Sequence, residues 1–141
     1  MFFTVCPTGS NYRLVDGRCY YIENVKQSSY DTAQAGCSGK FPKGGRLFEP
    51  LSLEMNEKVL IASREVISGN AWYYIGIKRG SSVWSAWQFV SSGVTVPYAM
   101  PWHPSSPSTS DSIRCVYARS SDLIWDDSIC SLSWYAICES V

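Results

Sequence analysis

The chain begins with β-prone residues on both sides of a turn, Tyr12-Arg13-Leu14-Val15-Asp16-Gly17-Arg18-Cys19-Tyr20-Tyr21-Ile22. Asp-Gly between two such runs predicts a hairpin, because both residues accept the left-handed backbone of a tight turn. The period then changes. Ser28-Ser29 precede Tyr30, Ala33 and Cys37, which recur at helical spacing, and serine is a good N-cap. Gly39 and Pro42 close that helix. A second helix starts at Ser52 with Met55, Val59, Ala62 and Val66 as its apolar stripe, and Glu54 stands four residues before Lys58. Ser68-Gly69-Asn70 ends it. Trp72-Tyr73-Tyr74-Ile75-Gly76-Ile77 is aromatic and β-branched, the pattern of a buried strand.

Regular periodicity fails over residues 80–112, where Trp84, Trp87 and Trp102 stand among serines and Pro97, Pro101, Pro104 and Pro107. A long stretch without periodicity inside a compact domain tends to be functional. Residues 113–118 and 134–139 read as late strands. No repeat or linker is visible, so residues 1–141 read as one domain.

Composition narrows the class. Apolar residues make up 45% and charged residues 17%, which suits a packed core and excludes a disordered chain. Lys+Arg and Asp+Glu are 12 each, a balance that argues against nucleic acid or an anionic membrane as the main partner. No apolar run is long enough to span a bilayer. The six cysteines, Cys6, Cys19, Cys37, Cys115, Cys130 and Cys138, are even in number and contain no CxxC pair. They read as three disulfides of a secreted protein, with connectivity left open by spacing alone. Met1-Phe2-Phe3-Thr4-Val5 is too short for a signal peptide and reads as the start of a mature form with an initiator methionine. None of the asparagines begins an Asn-x-Ser/Thr sequon.

Several pieces in a fixed order then carry a resemblance. Tyr74-Ile75-Gly76-Ile77 stands where the C-type lectin-like domain family has Trp-Ile-Gly-Leu. Trp84-Ser85-Ala86-Trp87, followed by Ser92-Gly93, Tyr98 and Trp102, matches its tryptophan-rich segment. Trp125-Asp126-Asp127 before Cys130 matches its Trp-Asn-Asp, and Ile137-Cys138-Glu139 its Ile-Cys-Glu. From Cys6 to Glu139 the chain resembles the long form of this family. The resemblance implies an α+β fold, with two helices flanking small antiparallel sheets and a long loop region. It also implies the pairing Cys6–Cys19, Cys37–Cys138 and Cys115–Cys130.

Many members of the family bind sugar through Ca²⁺, which takes about 6–8 oxygen ligands and shares them with sugar hydroxyls. The family supplies Glu-Pro-Asn or Gln-Pro-Asp from the long loop, an acid two residues before a cysteine, and the Asn-Asp pair. Here those positions fall on Ser106-Pro107-Ser108, Ile113 and Asp126-Asp127. Asp126 and Asp127 are the metal candidates, and Asp111 is placed to swing into the empty acidic position. Serine is a weak Ca²⁺ ligand and isoleucine none, so Ca²⁺ is possible but not favoured. Without metal, Asp126-Asp127 reads as a solvated acidic turn. The resemblance implies a cis Pro107. A second family site would fall on Ser52, Glu54 and Glu139, where a helix cap, a favourable N-terminal charge and a solvated acid are the simpler reading. Tyr74, Trp87 and Trp125 read as core. Trp102 divides evenly between core and ligand stacking, and His103 is the better candidate for exposure.

The ligand-binding candidates are therefore Trp102, His103, Ser106, Ser108, Asp111, Asp126 and Asp127. His103 is the only histidine and nothing around it forms a catalytic set, so no enzyme is expected. The resulting expectation is a secreted recognition module that binds a glycan or protein through its long loop, with a degenerate Ca²⁺–sugar site. One alternative is a Ca²⁺-dependent lectin with an atypical site on Asp126, Asp127 and Asp111. Another is attachment to matrix, mineral or ice. The resemblance implies roles such as innate immune recognition, cell adhesion or toxin-like partner binding, and leaves oligomeric state open.

Overall fold

A computed structural model describes residues 6–80 and 82–141, so the reading of the first five residues lies outside the described residues. The predicted hairpin is present as β1 (Tyr12–Val15) and β2 (Arg18–Gln27). Asp16 and Gly17 join them with φ of 48° and 79°, the two positive values that this kind of two-residue turn requires. Helix α1 (Tyr30–Cys37) starts where Ser29 accepts the Thr32 N–H, and it buries Tyr30, Ala33 and Cys37 as the spacing predicts.

Helix α2 (Leu53–Ser63) is capped by Ser52, which accepts the Met55 N–H at 3.1 Å. Its buried residues are Asn56, Val59, Leu60 and Ser63, so the buried face is rotated from the predicted stripe. The reason is tertiary: Asn56 accepts the indole N–H of the buried Trp125 at 2.8 Å. Val66 lies beyond the helix, in a turn where its N–H meets the Ser63 carbonyl.

The other strands are β3 (Gly45–Leu47), β4 (Trp72–Arg79), β5 (Trp87–Phe89), β6 (Cys115–Arg119), β7 (Trp125–Ser128) and β8 (Trp134–Ser140). They form one eight-stranded sheet in the order β1-β2-β8-β4-β6-β7, with β3 on β8 and β5 on β4. Strand pairs are antiparallel except β4 with β8, whose parallel pairing joins the two halves. Within the stretch expected to be irregular, β5 pairs Trp87 with Arg79 and Phe89 with Ile77.

Alternate residues of β4 serve two cores. Tyr73, Ile75 and Ile77 pack with Tyr20, Phe48 and Trp125. Tyr74 packs with Tyr30, Leu47, Tyr117 and the Cys37 and Cys138 side chains. Gly76 is required between them, because a Cβ there would meet the Leu47 carbonyl and the Glu49 Cγ at 2.8 Å. The disulfides are Cys6–Cys19, Cys37–Cys138 and Cys115–Cys130, as the family resemblance implies.

Candidate ligand-binding site

The long loop is anchored at its centre to β7. Pro101 accepts the Trp125 N–H at 2.8 Å, and the His103 N–H donates to the Trp125 carbonyl at 2.7 Å. The Trp102 ring lies 5.1 Å from that of Trp87 and 6.0 Å from that of Trp125, measured between centroids. Trp102 therefore extends the core under the loop. His103 is half-buried, and its Nδ1 lies 2.8 Å from the Ser105 hydroxyl.

The acidic pair is not a solvated turn. Asp126 and Asp127 lie in β7, paired with Tyr117 and Val116, and Asp127 is only 8% exposed. The Ser106 hydroxyl donates to Asp126 Oδ1, which also accepts the Asp127 N–H at 2.9 Å. The Ser108 N–H donates to Asp127 Oδ2 at 2.6 Å. The intervening Ser106–Pro107 bond is cis, as expected. Thus four predicted site residues, Ser106, Ser108, Asp126 and Asp127, come together. Their polar groups are turned on one another.

Asp111 does not join them. Its Oδ1 accepts the Val83 N–H at 2.7 Å, tying it to the β4–β5 connection. Ile113 supplies a carbonyl to Arg79 and no carboxylate. This donor set does not fit Ca²⁺. It offers two carboxylates, one oxygen of each engaged by an N–H or O–H donor, and serine and isoleucine stand at the other positions where Ca²⁺ needs stronger oxygen ligands.

The second family position is built for other purposes. Ser52 caps α2, and Glu54 pairs with Lys58 at 2.9 Å. Glu139 is not solvated: it is 1% exposed, with Arg46 Nε at 2.9 Å and Arg18 at 3.8 Å. Burial pushes its carboxyl above the ordinary carboxylate range, against the opposing pull of Arg46.

Two features of the loop region were missed in the sequence. Arg79, at the end of β4, is 4% exposed and has no carboxylate partner among the described residues. Its Nε donates to the Ile113 carbonyl at 2.8 Å, Nη2 to Ser110 at 2.5 Å, and Nη1 to Ser108 at 3.3 Å and Val83 at 3.5 Å. Its guanidinium lies 5.0 Å from the Trp87 ring. One cation thus gathers both parts of the loop. The second feature is Trp84, which is 92% exposed. Its backbone N–H donates to the Ser82 hydroxyl at 3.2 Å, so an ordered turn carries the ring. Beside it a cleft of about 490 Å³ is lined by Val83, Trp84, Ser85, Pro107, Ser108 and Thr109, with Arg79 and Trp87 at its base.

The class defined by this fold and loop is a two-helix, single-sheet domain with three disulfides and a long loop region. The chain belongs to the lectin C-type domain family, whose sequence pattern matches residues 26–140. Among solved structures, it is similar to a calcium-independent type II antifreeze protein. The two are 30% identical, over 97% of this chain and 95% of that one, with a TM-score of 0.74. Human lithostathine is 22% identical over 95% and 90%, with a TM-score of 0.76. The C-type lectin CEL-I from Cucumaria echinata is 15% identical over 94% and 96%, with a TM-score of 0.77. No curated protein sequence matches the chain.

Proposed function

We propose that this chain is a secreted recognition module that binds a glycan or protein at its long-loop surface without Ca²⁺. The observation that carries this reading is the engagement of Asp126 and Asp127 by Ser106 and Ser108, which commits one oxygen of each carboxylate to the loop where the family supplies further metal-binding side chains. In this reading Ser106, Asp126, Asp127 and Trp102 hold the loop. His103, Ser108 and Trp84 present its contacts. An exposed indole beside hydroxyl groups suits a sugar ring or a partner's side chain equally well. The cysteine pairing accords with an oxidising, extracellular setting.

The test is titration of Ca²⁺ into metal-stripped protein, followed by a glycan array read in EDTA and in Ca²⁺. The expected result is no heat of binding to millimolar Ca²⁺, equal array signals in both buffers, and loss of those signals in Trp84→Ala. A heat of binding that disappears in Asp127→Ala overturns the proposal in favour of an atypical Ca²⁺ lectin.

A second reading, attachment to ice, rests on the 30% identity to the calcium-independent antifreeze protein. Thermal hysteresis in a freezing-point measurement supports it, and its absence at millimolar protein removes it.

A further inference from the structure

The charges of this chain balance overall, yet they are unevenly paired. Of its 12 lysines and arginines, six form ion pairs among the described residues: Arg13, Arg18, Lys40, Arg46, Lys58 and Arg119. Two of the other six, Lys78 and Arg114, line one groove of about 260 Å³ that also borders Arg79, whose guanidinium is turned to the loop carbonyls. The groove runs over the β4–β5 pair and the residues entering β6.

Its chemistry is consistent. Lys78 and Gln88 stand directly opposite each other in the β4–β5 register. The Lys78 ammonium rests 4.5 Å from the Tyr30 ring centroid and has no acceptor among the described residues. Arg114 donates through Nε to the Arg79 carbonyl at 3.3 Å, and its terminal amino groups have no acceptor among the described residues. The exposed Gln88 amide likewise has no hydrogen-bond partner among the described residues. Glu49, a carboxylate packed against Gly76 of the same β4, is committed to Ser91, whose hydroxyl donates to it at 2.7 Å. Neighbouring unpaired cations repel one another, and an anion between them removes that cost. A guanidinium presents its donors as a planar fork that fits two oxygens of a tetrahedral anion.

We propose that this groove binds the sulfate ester of an acidic glycan. Lys78 and Arg114 take the sulfate oxygens, and the Gln88 amide takes a neighbouring hydroxyl. The groove has room for about one sugar unit. Lys78 and Arg114 line one short groove of a chain whose charges balance, without the extended basic stripe that single-stranded nucleic acid uses. The inference is independent of the long-loop reading and stands or fails without it.

The test is calorimetry of the whole chain at low salt with three probes: a heparin-derived tetrasaccharide, its desulfated counterpart, and an oligonucleotide of equal charge. The expected result is binding of the sulfated sugar alone, weakening as NaCl rises. Lys78→Gln and Arg114→Gln are each expected to weaken it by about ten-fold. Lys43→Gln, which removes an exposed cation outside the groove, is expected to leave it unchanged. Amide shifts in the unaltered protein give a reading that does not depend on a variant folding, and they should cluster at residues 78, 88 and 114. No binding, equal binding of the oligonucleotide, or equal loss in Lys43→Gln overturns the proposal.

Discussion

Asn56 and Trp125 show how one polar residue sets the orientation of a helix. The indole N–H of Trp125 is fully enclosed, and its acceptor is the Asn56 side chain, itself inside α2. A buried donor without an acceptor costs about 1–3 kcal/mol. Asn56→Leu, which keeps the volume and removes the acceptor, is therefore expected to lower unfolding stability by about that amount. Urea denaturation followed by tryptophan fluorescence measures it, and an unchanged midpoint removes this account. The same pair explains what could be read in the sequence at this scale. Asp126, Asp127, Ser106 and Ser108 were legible as a group through the family resemblance, which assigned their positions although the serines depart from the family's side chains. Asn56 was hidden by an apolar stripe drawn one residue away, and its reason for burial lies 69 residues further along. Arg79 was hidden for another reason: every acceptor of its guanidinium is a backbone carbonyl, which any residue supplies.

Among the elements, length decided legibility. Both helices announce themselves through serine caps and several turns of apolar spacing. Strands β3 and β5 have three residues each and β7 has four, too few for a period of two to stand out. Strand β7 had the further disguise of two adjacent acids, normally poor strand formers. They are tolerated because hydrogen-bond donors of the long loop meet them.

The β6–β7 connection carries its own prediction. Arg119 grips Asp122 with two bonds, Nε to Oδ1 at 2.8 Å and Nη2 to Oδ2 at 2.5 Å. The Arg119 hydrogen bond holds the Asp122 carboxyl below the ordinary carboxylate range. A carboxyl with a lowered folded-state pKa stabilises the fold above its unfolded value, 3.8 here, and loses that contribution as pH falls through the folded value. Solvent screening at this partly exposed pair keeps the contribution below about 1 kcal/mol. Asp122→Asn is expected to lower stability slightly at pH 7 and to flatten the loss seen on acidification below pH 4. Denaturation midpoints from pH 7 to pH 2 check this, and parallel curves for both proteins would contradict it.

For the whole molecule, the disulfides rank by the length of chain they close. Cys37–Cys138 joins residues 101 apart and ties α1 to β8, whereas Cys115–Cys130 spans 15. In the chain-entropy account these closures are worth about 4–5 and about 3 kcal/mol. Replacing Cys37 and Cys138 together by alanine is expected to cost more stability than replacing Cys115 and Cys130. Paired guanidinium titrations give the order, and a reversed order would show that native contacts, not chain entropy, dominate. The two cores meet along β4, so the first loss should loosen both. The second should fall on the ends of β6 and β7, beneath the long loop.

Arg79 has a consequence that concerns supply. An ion that shapes a loop must be drawn from the surrounding fluid, and the loop's order follows the ion's abundance. A guanidinium attached to β4 is delivered by the chain itself. Its local concentration beside the Ile113, Ser110 and Ser108 carbonyls is set by the length of a side chain. Each molecule therefore carries one organising cation, built in during synthesis, whatever the divalent-ion content of the place where it works.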